Sequence, residues 1–415
     1  MKLKNKTLLQ QMSLVITPLA LLTLAPEAYS ADSFTEAVTG GKVTANLQYR
    51  YENVNQKNNL KTANASTIRL RLGYETAEFM GFGAKVEMEH ITGNNAFNST
   101  INGRTNYSVV ADPDVTELNE AYISYSGLPQ TKLKLGRQEI TYDNHRWIGN
   151  VVWRQNHQSY DGYTAVNQTL PDTTVSAAYI TNANRVFGNN SPVGNHHMQS
   201  PLINVKYSGL GFADITAYGY FLDYDSSAAG FGLANSTKTL GLRLKGDAPI
   251  GGYKVLYTAE YASQSDYKNN PNNYRADYYL LEGGVDVNVA TFKVGYELLG
   301  SDNGRSVQTP LATLFAHNGW ADQFLVTPGK GLQDIYVSAR TELYGVVLGA
   351  DYHDFRADSG NSKYGTEIDL IAEKAFNKTY SIGTRAAFFN AKSTYTASSG
   401  TPDIDKFWLY GSMNF

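Results

Sequence analysis

The stretch from Ser66 to Tyr74 reads STIRLRLGY, and its pattern decides the fold of the whole chain. Apolar side chains occupy every second position, at Ile68, Leu70 and Leu72, and polar or charged side chains stand between them. Successive side chains of a β-strand point to opposite faces of the sheet. The stretch therefore predicts a strand with one apolar face and one wet, charged face.

The same alternation recurs in eighteen segments between Lys42 and Phe415. Short connections, such as 127–130, take turns with long polar ones, such as 92–115. A soluble β-sandwich gives no reason for this, whereas a bacterial outer-membrane barrel has short periplasmic turns, long extracellular loops and an even number of strands. We predict an all-β fold, a transmembrane antiparallel β-barrel of about 18 strands. Sixteen strands is the alternative, because strand boundaries are hard to place from sequence.

The sheet must close on itself if it crosses a lipid bilayer. An unpaired backbone amide in hydrocarbon costs several kcal/mol, so an open sheet edge is excluded there. Aromatic residues near strand ends are typical of the two interfacial girdles of such barrels. The tyrosines that we assign to these girdles are Tyr49, Tyr51, Tyr74, Tyr125, Tyr218, Tyr220, Tyr257, Tyr261, Tyr296 and Tyr352.

The last nine residues, 407–415, read FWLYGSMNF. They form one more alternating segment, and it ends on the aromatic Phe415. The segment resembles the carboxy-terminal strand of bacterial outer-membrane proteins. That resemblance implies recognition of Phe415 by the barrel-assembly machinery.

The amino terminus has the pattern of a secretory signal. Lysines at positions 2, 4 and 6 precede an apolar run, Leu14–Ala25, and small residues at Ala28 and Ser30 precede Ala31. A membrane anchor would need about 20 apolar residues, and this run is shorter. We predict a signal peptide over 1–30, a short periplasmic segment over 31–41 and a single barrel domain over 42–415.

The composition excludes several classes of protein. The chain has 415 residues and no cysteine, which excludes disulfides, thiolate metal sites and cysteine catalysis. Its net charge of −3 argues against a nucleic-acid partner, which would require a basic surface. The sequence shows no nucleotide-binding motif, so we predict no cofactor and no direct energy source.

The seven histidines offer little support for catalysis or metal binding. None of them stands in a GxSxG or HExxH frame. A hydrolase would have to use a loop histidine, and His145, His157 and His317 are the candidates. His196 and His197 are adjacent, so their side chains diverge on a strand, which argues against a shared metal ion.

An acidic group in a long connection is the second candidate metal site. Asp112, Asp114 and Glu117 could supply oxygen ligands to calcium, but their spacing fits no EF-hand pattern. An ordinary acidic loop is the simpler interpretation.

The residues between the apolar ones are predicted to line the lumen. They include the arginines Arg50, Arg69, Arg71, Arg243 and Arg385, together with a similar number of carboxylates. Eighteen strands enclose a space wide enough for water. Two interpretations remain open: a solvated wall in which acids and bases pair, or an arginine ladder that attracts anionic solutes. The ladder requires that the two signs of charge segregate.

The stretch from Leu133 to Val166 reads LKLGRQEITYDNHRWIGNVVWRQNHQSYDGYTAV. Its motifs GRQ, WRQ and YDG resemble the alginate export family of outer-membrane barrels and related porins. In this first stretch, Tyr160 stands where phenylalanine is expected. A second stretch, 314–334, resembles the family's late loop, although the proline expected near Ala316 is absent. The resemblance implies an 18-stranded channel, and in the family's namesake a cationic pore for a polyuronate. It leaves the solute of this chain open.

Three more arginines lie in or beside this stretch. Leu135 sets the lipid face, so alternation would aim Arg137 at lipid unless Gly136 marks a bulge or a strand end, and we predict that Arg137 turns into the pore. Arg146 and Arg154 follow in a loop that could fold inward and build a constriction near Asp161. Alternatively, they pair with Asp143 and Asp161 and only order the loop.

The segment Ser301–Gly331 is too apolar for a freely solvated loop, since it carries Phe315, Trp320 and Phe324. Two interpretations fit this composition. The segment could plug or cover the channel, which we favour, or it could pack against lipopolysaccharide.

The sequence as a whole favours a passive outer-membrane channel for small hydrophilic solutes, anionic or of sugar-acid or oligosaccharide type. A sealed barrel for surface binding or adhesion and an outer-membrane hydrolase are the alternatives. The expected partners are outer-membrane lipid, lipopolysaccharide, the assembly machinery and the solute. The oligomeric state and the direction of transport stay open.

Overall fold

The structure is a computed structural model, and it describes residues 30–227 and 232–415. Over these residues, 18 strands form one sheet in which every pairing is antiparallel. The strands are β1 (Lys42–Gln56), β2 (Ala63–Glu75), β3 (Phe82–Gly93), β4 (Val115–Leu128), β5 (Thr131–Gln138), β6 (Ser159–Asn167), β7 (Thr173–Asn184), β8 (Asn195–Tyr207), β9 (Ala213–Leu222), β10 (Thr237–Ile250), β11 (Tyr253–Asp266), β12 (Arg275–Asp286), β13 (Ala290–Leu299), β14 (Leu332–Leu343), β15 (Val346–Arg356), β16 (Lys363–Ala375), β17 (Tyr380–Ala391) and β18 (Ile404–Asn414).

The sheet closes between its first and last strands. Each strand pairs with its successor in the chain, and β18 pairs with β1 from Asn46 opposite Asn414 to Gln56 opposite Ile404. Beyond β18, the amide of Phe415 donates to the carbonyl of Ala45 at 2.8 Å. The predicted barrel of 18 strands is confirmed, and the alternative of 16 is wrong.

Strand β2 shows the predicted division between the two faces of the wall. Ile68, Leu70 and Leu72 are 40%, 41% and 51% exposed, which places them on the outside of the barrel. Arg69 between them is only 4% exposed and points inward. The alternation read from STIRLRLGY is therefore the alternation of a lipid-facing and a lumenal surface.

The connections at the two ends of the barrel differ in size. One end carries 76–81, 129–130, 168–172, 208–212, 251–252, 287–289, 344–345 and 376–379. The other end carries 57–62, 94–114, 139–158, 185–194, 223–236, 267–274, 300–331, 357–362 and 392–403. We call these the short-turn end and the loop end.

Two short helices lie outside the sheet, α1 (Phe34–Thr39) and α2 (Ser393–Ser399). The segment around α1 attaches to the short-turn end, where the amide of Ala77 donates to the carbonyl of Ala37 at 3.0 Å. No helix in the described part of the chain is long and apolar enough to span a membrane. The predicted signal sequence up to residue 29 lies outside the described residues.

Two of the tyrosines assigned to the girdles point inward instead. Tyr218 and Tyr220 on β9 are 5% and 2% exposed, and their rings stack at 4.8 Å inside the barrel. Tyr218 donates to Glu260 at 2.6 Å, and Tyr220 is the acceptor for Asn204 at 2.9 Å. The girdle assignment was wrong for Tyr218 and Tyr220. A buried phenol hydroxyl needs a polar partner, and polar side chains of the lumenal wall supply it.

The lipid-facing side of β2 should not tolerate charge. Replacing Leu70 by arginine should lower the free energy of unfolding by about 2–4 kcal/mol, because a guanidinium at the bilayer midplane is poorly solvated. Urea titration of the barrel refolded in lipid vesicles measures this change. Ser338→Arg, on the lumenal face of β14, is the control and should cost less than about 1 kcal/mol. Equal costs for the two variants would contradict the assignment of faces.

Candidate functional site

Two connections from the loop end fold back into the barrel, 139–158 and 300–331. They meet where Trp153 of the first stacks on Phe315 of the second, with ring centroids 4.1 Å apart. Trp320 continues the stack beyond Phe315 at 5.8 Å. The two loops therefore pack against each other inside the barrel as one unit.

The 300–331 loop also packs against the barrel wall. Phe324 contacts Phe355 on β15 and Phe389 on β17, with centroids at 4.6 and 6.0 Å. Phe315, Trp320 and Phe324 are each less than 7% exposed. Their apolar character serves packing inside the barrel, as expected for a plug and not for a segment that lies against lipopolysaccharide.

Arg154 ties the 139–158 loop to three other parts of the molecule. Its guanidinium lies 3.0 Å from Glu52 of β1 and 3.3 Å from Asp322 of the 300–331 loop. It also lies 3.9 Å from Asp112 of the 94–114 loop. Burial would lower the pKa of Arg154, but the three carboxylates outweigh burial and raise it. The side chain therefore stays charged at all relevant pH values.

Asp112 is the second centre of this network. It accepts a hydrogen bond from Arg50 of β1 and another, at 2.9 Å, from the backbone amide of Gln155. Burial alone would raise the pKa of the Asp112 carboxyl, but the guanidinium groups of Arg50 and Arg154 hold it below its ordinary value. Asp112 is therefore engaged by arginines, which argues against the calcium site considered for this acidic loop.

Most of the predicted lumenal arginines lie beside a carboxylate. Arg385 additionally stacks its guanidinium over Trp153 and Trp320, at 4.6 and 4.8 Å from their ring centres. Positive and negative side chains do not segregate in the lumen. A wall in which acids and bases pair therefore describes these positions better than an arginine ladder does. The pairs are Arg50 with Asp112, Arg71 with Glu89, Arg146 with Glu297, Arg243 with Glu260 and Arg385 with Glu373.

Arg69 is the exception to this pairing. Its Nη2 donates to the amide oxygens of Asn46 and Gln48, both at 2.7 Å. Its Nη1 donates to the carbonyl of Gln155 at 3.2 Å and faces His157 Nε2 at 2.9 Å. Among the described residues, no carboxylate forms an ion pair with Arg69, so its charge has no fixed counterion.

His157 completes the surroundings of Arg69. Burial and the nearby Arg71 lower the pKa of His157 to about 3, so the ring is neutral at pH 7. Its Nε2 then accepts from Arg69, and its Nδ1 donates to Glu139 at 2.9 Å. These partners hold the ring as a neutral link in a charged network.

The other two loop histidines are also neutral. Burial lowers the pKa of His145 to about 4 and that of His317 well below its ordinary value. His145 lies 3.5 Å from the hydroxyl of Thr313 in the 300–331 loop. His145 therefore adds to the contact between the two inner loops.

Arg137 does not turn into the pore as predicted. Neither ladder of β5 shifts its register at Gly136, so alternation keeps Arg137 on the face of the exposed Leu135. Gly136 does adopt a φ of +128°, which favours glycine, and β5 ends at Gln138. The charge of Arg137 is neutralised by Asp161, with Nε and Nη2 at 2.7 and 3.1 Å from the two carboxylate oxygens.

The constriction predicted near Asp161 is likewise elsewhere. Arg146 and Arg154 do fold inward, but Arg146 binds Glu297 and Asn318, and Arg154 binds the carboxylates described above. The nearby aspartates of the alternative interpretation, Asp143 and Asp161, are not their partners either. Loop residues reach across the lumen to strands that are distant in sequence, and spacing along the chain carries no record of that.

Several residues that shape the site were missed at the level of sequence. Asp112 and Trp153 join loops to the wall, a role that differs from the calcium site and the WRQ motif for which the sequence singled them out. Asn46 and Gln48 hold Arg69 in place of carboxylates. Their only signal was their position, since Asn46 and Gln48 occupy the wet face of β1. Polar residues at such positions are common, so the pattern does not single them out.

Comparison with known proteins defines the family. A sequence model of the family described as Alginate export matches residues 41–298, which is more than half of the chain. The chain belongs to the alginate export family. The resemblance seen in 133–166 is thereby confirmed, whereas the second stretch, 314–334, lies beyond the matched region. A comparison with curated protein sequences finds no match.

Solved structures show that this member of the alginate export family has the fold of outer-membrane porins. OccK9 (OpdG) of Pseudomonas aeruginosa is 11% identical with a TM-score of 0.73, over 91% of this chain and 99% of that one. OccAB2 of Acinetobacter baumannii is 13% identical with a TM-score of 0.70, over 92% and 99%. The outer membrane protein opdK of Pseudomonas aeruginosa is 11% identical with a TM-score of 0.70, over 90% and 98%. The protein is an integral outer-membrane protein.

The network around Asp112 should dominate the stability of the inner loops. Asp112→Ala leaves two buried arginines without their shared partner and should lower the free energy of unfolding by about 3–5 kcal/mol. Asp114→Ala is the matched control, because Asp114 is exposed and, within the described part of the chain, its side chain accepts a hydrogen bond from Thr92 alone, at 2.9 Å. The control should change stability by less than about 0.5 kcal/mol. Similar urea midpoints for the two variants would contradict the network.

Proposed function

We propose that the protein is a passive, non-enzymatic channel of the outer membrane that favours small anionic solutes, such as sugar acids and acidic oligosaccharides. The channel function itself follows from the family and the porin fold. The preference for anions is supported by one observation above all: among the described residues, Arg69 forms no ion pair with a carboxylate. This proposal replaces the arginine ladder by a smaller set of cations, because most other lumenal arginines already pair with carboxylates.

Arg69 is placed where a solute would feel its charge. It sits on the lumenal face of β2 beside the 139–158 loop, which narrows the barrel at this level. In a narrow passage with low-dielectric walls, one unpaired charge raises the local concentration of counterions strongly. The amide groups of Asn46 and Gln48 orient the guanidinium without cancelling its charge. Because the side chain is only 4% exposed, its charge would act on a passing carboxylate from a distance and not by direct contact.

Two lysines on the same inner surface extend this bias toward the short-turn end. Lys134 lies over the ring of Tyr122 at 4.2 Å, and Lys245 follows Arg243 on the lumenal face of β10. No carboxylate of the described residues forms an ion pair with either lysine. Together with Arg69 they give the inner half of the lumen cations that remain available to a solute.

The processing and surroundings of the protein belong to the same proposal. Residues 1–30 act as a cleaved export signal, 31–41 lie in the periplasm, and 42–415 form the barrel domain. The loop end faces the lipopolysaccharide of the outer leaflet. Phe415 pairs with Ala45 at the seam, where recognition by the barrel-assembly machinery can be coupled to closure.

A sealed barrel for surface binding is the second candidate function. The observation that favours it is the packing of both inner loops, in which Phe315, Trp320 and Phe324 fill the outer half of the lumen. Conductance separates the two candidates. A folded barrel that shows no open steps in a planar bilayer would favour the sealed form.

The anion preference should depend on Arg69. In a salt gradient, the reversal potential should indicate anion selectivity for the wild type, and Arg69→Gln should reduce the anion-over-cation permeability ratio by up to about tenfold. Arg104→Gln, in the exposed part of the 94–114 loop, is the matched control and should leave the ratio unchanged. Equal selectivity of wild type and Arg69→Gln would reduce the protein to a general porin.

A further inference from the structure

The tip of the 300–331 loop is bound by carboxyl groups of the barrel wall. The backbone amide of Ala321 donates to Glu367 Oε1 at 2.6 Å, and that of Trp320 donates to Asp369 Oδ2 at 3.1 Å. Both acids lie on the lumenal face of β16 and are fully buried. The loop tip is therefore held by two hydrogen bonds to adjacent acidic positions of one strand.

Gly319 shows how close this contact is. It has a φ of +83°, and a Cβ atom at this position would lie 2.4 Å from Glu367 Oε2. A side chain there would displace the Glu367 carboxyl group or the loop tip, and either movement disturbs the hydrogen bond from Ala321. Asn318, the preceding residue, adds hydrogen bonds to Glu297 and Asp334 at 2.7 and 3.1 Å.

One oxygen of each acid is left without a donor. Within the described residues, Glu367 Oε2 and Asp369 Oδ1 are buried and accept no hydrogen bond. The two carboxyl groups lie within hydrogen-bonding reach of each other. Two ionised carboxylates this close repel each other, whereas a single proton between them turns the repulsion into a hydrogen bond. Each carboxyl group therefore has one oxygen that could carry or accept such a proton.

We propose that Glu367 and Asp369 form a proton-binding site whose shared proton keeps the tip of the 300–331 loop docked inside the barrel. Loss of the proton at high pH adds a charge next to Asp322 of the loop itself, and the tip leaves the wall. The loop then no longer narrows the lumen. The inference rests on the proposed channel function only where conductance is the readout.

The surrounding charged groups are committed to other partners. His353 on β15 holds Asp334 at 2.9 Å and lies 3.9 Å from Asp369. Lys406 on β18 and Arg154 of the 139–158 loop each lie 3.3 Å from Asp322 Oδ2. Among the described residues, none of these cations donates a hydrogen bond to either orphaned oxygen, and the ion pair of His353 is formed with the other oxygen of Asp369.

The sign of the pH effect follows from linkage. If the docked state holds one more proton than the undocked state, the ratio of docked to undocked loop falls up to about tenfold per pH unit once the pair titrates. His145, His157 and His317 do not contribute above pH 7, because burial already lowers the pKa of each below that range. Measurements between pH 7 and 9.5 therefore exclude these three loop histidines, and a variant that keeps His353 beside Asp369 is needed to separate the acidic pair from His353.

Undocking can be measured without any conductance. The chain has no cysteine, so Ala321→Cys introduces a single thiol that is buried while the loop is docked. Its rate of maleimide labelling is divided by that of Val326→Cys, which is 69% exposed in the same loop and corrects for thiol ionisation. The normalised rate should rise by up to about tenfold per pH unit. A flat normalised rate would overturn the proposal.

Glu367→Gln is the decisive variant. Its amide can accept from Ala321 as before and donate to Asp369, which imitates the protonated acid without titrating. In the Ala321→Cys background, the normalised labelling rate should stay low and flat with pH, although His353 is unchanged. A rise with pH like that of the parent would assign the effect to another group and overturn the proposal.

Two glycine variants test the docking contact itself. Gly319→Ala should label rapidly at every pH, because its Cβ collides with Glu367. Gly304→Ala is the matched control, since Gly304 has a φ of +73° in the same loop but open space around its Cβ. It should label like the parent. Slow labelling of Gly319→Ala would show that the loop tip is not held as described.

Conductance then separates this inference from the proposed function. Open steps that grow with pH in the wild type and not in Glu367→Gln support both. A folded barrel that labels as expected but never conducts leaves the proton site standing and overturns the channel. A protein that conducts, but whose conductance and labelling rate are both independent of pH, supports the channel function and overturns the proton site.

Discussion

The structure depends on the closure of backbone hydrogen bonds around the barrel. Lipid offers no donor or acceptor, so every amide of the wall must find its partner in a neighbouring strand. The pairing of β18 with β1 removes the last free edge. Once closure fixes 18 strands, the circumference of the wall follows, and the interior is too wide for side chains of the wall alone to fill. The inward-folded loops occupy the space that remains.

Charges inside the barrel are arranged so that loops and wall need each other. Buried arginines of the wall and of the 139–158 loop share the carboxylates of three separate connections or strands, with Arg154 between Glu52 and Asp322. Removing one partner of such a pair leaves the other charge buried and unpaired, which lowers the free energy of unfolding. A few cations lie outside this pairing, above all Arg69, and the proposed anion preference rests on them. The stability of the inner loops and the proposed selectivity would then depend on different arginines.

The wall could be predicted from sequence, whereas the interior could not. Alternation at Ile68, Leu70 and Leu72 reports a local property, the two faces of one strand, and so it gave the strands and their lipid face correctly. The partner of Arg154 depends on where a loop lands across the lumen, and no local pattern records it. Arg137 shows the same limit, because the energetic cost of facing lipid was recognised but the neutralising Asp161, on the neighbouring strand, was not assigned to it.

The seam between β1 and β18 also orders the events of biogenesis. The first strand of the wall finds its second neighbour only when the last strand arrives, so the wall cannot be completed while the polypeptide is still being made. Until then the free edges of β1 and β18 expose unpaired backbone amides and carbonyls, which can pair with other chains and cause aggregation. The wall therefore stays open to mispairing until its last strand reaches its first, and closure of this one seam ends that exposure for the whole sheet.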